Sequence, residues 1–194
     1  DTNGNDVTFA SALAGSGSFQ KSGSGRLTLT GSNSLSGGYL VRGGTLQVGN
    51  GGAQGSLAAA VDLAVGTTLR FNRSDDLAYS GTISGNGAVW QVGLGTLVLG
   101  GSNTFDGGLV LRSGTILLGS AGAAASTGNI GFEGGVLQFS TSNTQDYSAR
   151  LISAAGQAYQ VDTNGQNVSF ASAFGSGAAT FTKWGAGKLT FQAD

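Results

Sequence analysis

Apolar and polar residues alternate in short bursts along the chain, as in Leu27-Thr28-Leu29, Thr45-Leu46-Gln47-Val48 and Lys188-Leu189-Thr190-Phe191. A period of two marks strands, because successive side chains on a strand point to opposite faces. Over no useful length do the apolar positions follow helical spacing, so the pattern predicts a strand-dominated chain with essentially no helix. Gly-Gly and Asn-Gly pairs at positions 37–38, 107–108, 134–135, 3–4 and 164–165 separate the bursts and supply the positive φ values of sharp corners.

Similar strands recur at near-constant intervals: Leu27 to Leu46 is 19 residues, Leu46 to Leu69 is 23, Leu97 to Ile116 is 19 and Ile116 to Leu137 is 21. Coils of this size with short strands and glycine corners stack as a β-solenoid. Each strand then pairs with its equivalent one coil above and below, and inward side chains form ladders. About nine coils are expected, giving a rod about 40 Å long. The inward ladder is assigned to Leu27, Leu29, Leu46, Leu97, Leu99, Ile116, Leu137 and Leu189, and the corners to Asn33, Asn103, Gly37, Gly38, Gly107 and Gly108. The small-residue stretches 50–62 and 120–129 are each expected to hold one short excursion.

Self-similarity extends beyond single strands. The segment Gly15–Gly49 matches Gly85–Gly119 without a gap at an offset of 70. Asp1-Thr2-Asn3-Gly4, Val7 and Phe9-Ala10-Ser11-Ala12 reappear as Asp162-Thr163-Asn164-Gly165, Val168 and Phe170-Ala171-Ser172-Ala173. After a one-residue insertion Lys21 aligns with Lys183, Gly25 with Gly187 and Leu27 with Leu189. The chain thus divides into repeats of about 1–70, 71–140 and 141–194 within a single solenoid, and the expectation is an excised fragment with any signal or anchor outside it.

Composition narrows the function classes. Glycine occupies 37 of 194 positions, yet Leu, Val, Ile and Phe recur too regularly for a disordered chain, and without proline or a three-residue glycine period it is not collagen. Nine basic residues against ten acidic ones leave no basic face for a nucleic acid. Cysteine and histidine are both absent, which removes disulfides, the usual nucleophile–base pairs and the commonest transition-metal ligands. No catalytic, cofactor or metal residue is assigned.

Three motifs bear on chemistry. Asp75 and Asp76 follow Arg70 and Arg73, but a glycosidase needs two carboxylates set across a cleft, and adjacent residues on a strand face opposite ways. A solvated turn with local ion pairs is the expected reading, and Asp62, Asp106, Glu133 and Asp146 show no carboxylate pairing. Asp1-Thr2-Asn3-Gly4-Asn5-Asp6 resembles the start of a calcium loop, yet its twelfth position is Ala12 rather than Glu, and the second copy has Asn167 where the first has Asp6. An Asn-Gly turn leading into a strand accounts for both copies. The Gly-x-Gly pairs at 15–17, 23–25, 85–87, 93–95 and 185–187 run into strands, not helices, so they read as corners, not phosphate loops.

Asn33 and Asn103 hold equivalent positions, where an Asn adopts left-handed geometry or hydrogen-bonds neighbouring backbone. Phe19, Trp90 and Phe181 fall at comparable places and are expected to stack inward. Trp90 and Trp184 are not equivalent, so one of them is expected to be exposed.

The string G-x-G-x-L-x-L-x-G-x-N-x-x-x-G-G-x-x-V-x-x-G-x-L-x-x-G, read from Gly23 to Gly49 and with conservative changes at Leu111 and Ile116 from Gly93 to Gly119, resembles the autotransporter-associated β-strand repeat. The resemblance implies a right-handed parallel β-helix in the secreted passenger of a Gram-negative surface adhesin. It also implies export through the outer membrane and tethering by a β-barrel, which is not in this piece. The function expected is a non-catalytic stalk that supports secretion, adhesion or self-association. The competing readings are a β-helical polysaccharide-active enzyme and a glycan- or protein-binding module. Expected partners are a host-cell protein or glycan reached through the parent protein, and a second copy stacked on the terminal coils.

Overall fold

The computed structural model describes residues 1–173 and 179–192. Short strands, all paired in parallel, stack in about nine turns of a β-solenoid, and the only helical element among the described residues is one 3₁₀ turn at Ser148–Arg150.

Each coil passes in turn through three sides. The first side is a seven-stranded sheet of Val7–Phe9, Arg26–Leu29, Thr45–Val48, Thr68–Phe71, Ala88–Gln91, Leu109–Leu111 and Ile130–Phe132. The second begins as a three-stranded sheet (Ala14–Gly15, Ser32–Leu35, Ser56–Leu57). It continues as a six-stranded one formed by Leu77–Tyr79, Thr96–Leu99, Thr115–Leu118, Val136–Gln138, Ala158–Asp162 and Thr180–Trp184. The third side carries Phe19–Lys21, Tyr39–Val41, Val61–Leu63 and Ile83–Gly85 in the early coils and the pair Val168–Phe170 and Leu189–Phe191 in the last.

Register follows the alternation of the strands. Leu27, Leu46, Leu69 and Val89 stand opposite one another on the first side, with Leu29 opposite Val48. Leu97, Ile116 and Leu137 form the corresponding ladder on the second side. These side chains are buried, and they merge with Tyr39, Tyr79, Phe105, Phe139 and Phe170 into one continuous core. Leu189 is half-buried against it, opposite Val168. Among the outward residues of the early strands, Thr28 and Gln47 are buried as well.

The offset of 70 acquires a geometric meaning here. From Leu27 three coils lead through Leu46 and Leu69 to Val89, and one further side leads to Leu97. Seventy residues are therefore three and one-third coils. The second copy of each repeated strand lies on the next side: Arg26–Leu29 on the first, Thr96–Leu99 on the second. The third copy moves on again, with Leu189–Phe191 on the third side.

The structure changes two sequence expectations. Residues 50–55 do leave the coil between Gly49 and Gly55, but 120–129 is no outward excursion, because Ala123, Ala124 and Ala125 are buried. Arg150 holds that inward turn: its guanidinium donates to the carbonyls of Ala124, Ala125, Thr127 and Gly128 and packs over the Tyr147 ring. Trp90 does not stack inward. Val89 is the inward residue of its strand, equivalent to Phe19 at the offset of 70, and Trp90 lies outside beneath the Arg112 guanidinium. Phe19 and Phe181 pack partly buried against the core beside Tyr39 and Tyr159, and Trp184 is 51% exposed.

Candidate functional site

The polar side chains that recur in the repeat are used to tie one coil to the next. Asp6 Oδ1 accepts the Arg26 N–H at 2.9 Å, Asp76 Oδ1 accepts the Thr96 N–H at 3.0 Å, and Asn167 Oδ1 accepts the Lys188 N–H at 3.0 Å. These are three copies of one brace on three sides of the solenoid. What the position requires is an acceptor oxygen, which is why Asp and Asn alternate there and why no calcium pattern persists.

A second brace is formed by the equivalent asparagines. Asn33 Oδ1 accepts the Leu13 N–H from the preceding coil and its amide donates to Ser56 O in the following one. Asn103 repeats the arrangement with Ile83 N–H and Ala123 O. Both side chains are buried, and neither residue adopts positive φ, so they act by hydrogen bonding and not by left-handed geometry. Asn33 lies within the strand Ser32–Leu35 and not at a corner. In a core of low dielectric such a satisfied amide fixes the vertical register of three coils, because any slip leaves polar atoms buried and unpaired.

A third brace escaped the sequence reading. The buried Lys21 ammonium donates to the carbonyls of Gly23 at 2.6 Å and Gly43 at 2.8 Å, and to Thr2 Oγ1. At the equivalent places Gln91 meets Gly93 O and Gly95 O, and Lys183 meets Gly185 O, each closing the corner of its own coil and not reaching the next. Burial pulls the Lys21 ammonium below its ordinary pKa, while the charge of Asp6 works the other way. The available signal was the alignment of Lys21 with Lys183 next to Gly-x-Gly. Gln91 at the same place concealed it.

The glycine corners are dictated by close approach. Gly38 and Gly108 take φ of +90° and +96°, while a Cβ on Gly37 would stand 2.6 Å from the Gly17 carbonyl group below it. Gly107 is similarly stacked on Gly87.

The carboxylates are engaged one by one. Arg73 forks onto Asp75 with two hydrogen bonds of 2.9 and 2.8 Å, and that bonding holds the Asp75 carboxyl below its ordinary range. Asp76 braces Thr96, as above. Asp62 pairs with Arg42, Glu133 with Arg112 at 2.7 Å, Asp106 accepts from Asn86, and Asp146 accepts from Ser148 and Ala171. Asp1 and Asp162 each accept the N–H of the asparagine two residues on, closing identical Asn-Gly turns in which Asn3 and Asn164 have φ of 45° and 46°.

The Asp76 brace gives a direct test. Asp76→Asn keeps the acceptor and is expected to change stability by no more than about 0.5 kcal/mol, whereas Asp76→Ala removes it and is expected to cost about 1 kcal/mol. Urea unfolding of both variants distinguishes an acceptor from a charge requirement, since equal losses would mean that the negative charge is what matters.

Comparison with known families agrees with this arrangement. The passenger-associated-transport-repeat family matches residues 19–48 and 91–118, the two segments that carry the second and third braces in register 70 residues apart. No curated protein and no solved structure matches the chain. The chain therefore carries two copies of the passenger-associated transport repeat, the match expected from its resemblance to autotransporter passenger repeats.

Proposed function

We propose that this chain is a non-catalytic spacer segment of a surface-displayed autotransporter passenger, giving the parent protein length and stiffness and supporting its secretion and adhesion. The observation that carries this reading is the employment of the repeated polar residues. The Asp/Asn position in all three copies, the Asn position in the first two and Lys21 bind backbone of neighbouring coils, so what the repeat serves is stacking. Coils that contact only their neighbours extend a rod without limit in principle, and stiffness rises with each vertical tie.

The carboxylates bear on the polysaccharide-active alternative. Asp75 and Asp76, the one adjacent pair on the chain's middle coils, are held by Arg73 and by the Thr96 N–H, and the Arg73 hydrogen bonds hold the Asp75 carboxyl below its ordinary range, opposite to what a general acid uses. Purified chain incubated with a panel of neutral and acidic polysaccharides is expected to release no reducing ends. Reproducible release that disappears in Asp75→Asn or Asp76→Asn would overturn the non-catalytic reading.

A further inference from the structure

The outer row of the first side contains a cation that the stacking does not employ. Thr28, Gln47, Arg70, Trp90 and Val110 stand opposite one another on consecutive strands, about 4.8 Å apart. The neighbouring guanidinium groups have acids of their own: Arg26 pairs with Asp6 at 2.6 Å, and Arg112 pairs with Glu133 while lying 4.3 Å over the Trp90 ring. Arg70 has no ion pair among the described residues, and its Nε is buried without a hydrogen-bond partner. Burial, and after it the charges of Arg26 and Arg112, oppose the Arg70 charge, with no acid in compensation.

Directly beside it Gln47 is 5% exposed; its amide N–H is committed to Gly49 O at 2.8 Å, which leaves Oε1 buried and unpaired. The row thus places an uncompensated guanidinium beside an indole ring, with the buried Gln47 amide on its other side. A half-buried charge without a counterion is costly, and a bidentate guanidinium is well matched to a carboxylate or sulfate. The indole, overlain by Arg112, offers its edge to the apolar side of a sugar ring.

We propose that this face binds an acidic saccharide, with its anionic group against the Arg70 guanidinium and the ring edge against Trp90. The site is independent of the spacer role, because neither Arg70 nor Trp90 supplies a brace between coils of the repeat.

The test is titration of the chain, with Trp184→Phe to isolate Trp90 fluorescence, by an oligogalacturonate, by a neutral oligosaccharide of equal length and by oligoglutamate. Saturable binding of the oligogalacturonate alone is expected, weakened at least tenfold by Arg70→Gln with the melting temperature unchanged or raised. Gln47→Glu, which supplies a carboxylate in place of the ligand's, is expected to abolish it. Binding that is absent, that survives both substitutions, or that is equalled by the neutral sugar or the peptide would overturn the assignment.

Discussion

Leu97→Ala is expected to lower the unfolding free energy by about 2–5 kcal/mol, against about 1 kcal/mol or less for Val98→Ala one position along the same strand. Leu97 is buried between Leu77 and Ile116 in adjacent coils, so truncation opens a void that neither neighbour is free to fill without moving its own coil. Val98 points outward and is half-buried. Denaturant unfolding followed by far-ultraviolet circular dichroism measures both. Equal losses would show that the facing of this strand has been read the wrong way round.

Gly95→Ala is the second large effect, expected to cost about 3 kcal/mol although it only adds a methyl group. A Cβ at this position would overlap the carbonyl of Asp75 in the coil below, as one at Gly25 would overlap that of Asn5 and one at Gly187 that of Gln166. The clash is with the Asp75 backbone and not with a flexible side chain, so relief requires two coils to separate locally and stretches their ladder bonds. Gly52→Ala, in the loop that leaves the coil, meets only an Asn50 side-chain oxygen at 3.8 Å and is expected to be neutral or slightly stabilising. A thermal melt of the two variants side by side decides the point, and a melting temperature for Gly95→Ala equal to that of the parent chain would refute the close stacking.

Much of this was written in the sequence, and the reason is that stacked coils repeat their constraints. The 19- to 23-residue spacing of Leu27, Leu46 and Leu69 is the register itself, and Asn33 and Asn103 declared a role by recurring at one offset. What stayed hidden depended on packing between segments of unlike sequence. Nothing around Ala123 says that it turns inward, because the force that draws it there comes from Arg150, some 25 residues later. Trp90 departs from the inward expectation, which rests on the usual turning of aromatic rings to the core. Here Val89, the smaller neighbour, has the inward parity and Arg112 shelters the indole from outside. The unpaired state of Arg70 is likewise a relation among three coils, which no local motif expresses.

The repeat length of three and one-third coils bears on how such a chain changes by recombination. Unequal exchange between the first two copies would delete or add 70 residues, shifting everything beyond the junction by about 16 Å along the axis. It would also turn that part by one side of the solenoid. The join would still close, because Asp6, Asp76 and Asn167 make the same bond on three different sides, so each copy brings its own fastening to whichever side it lands on. The Arg70 row lies between the two copies, so a deletion removes it, whereas an addition creates a second row turned by one side, and three successive additions bring a row back to the original bearing. Gene rearrangement can therefore act on this rod as an indexed rotation, altering which ligands are presented together while the core ladders remain intact.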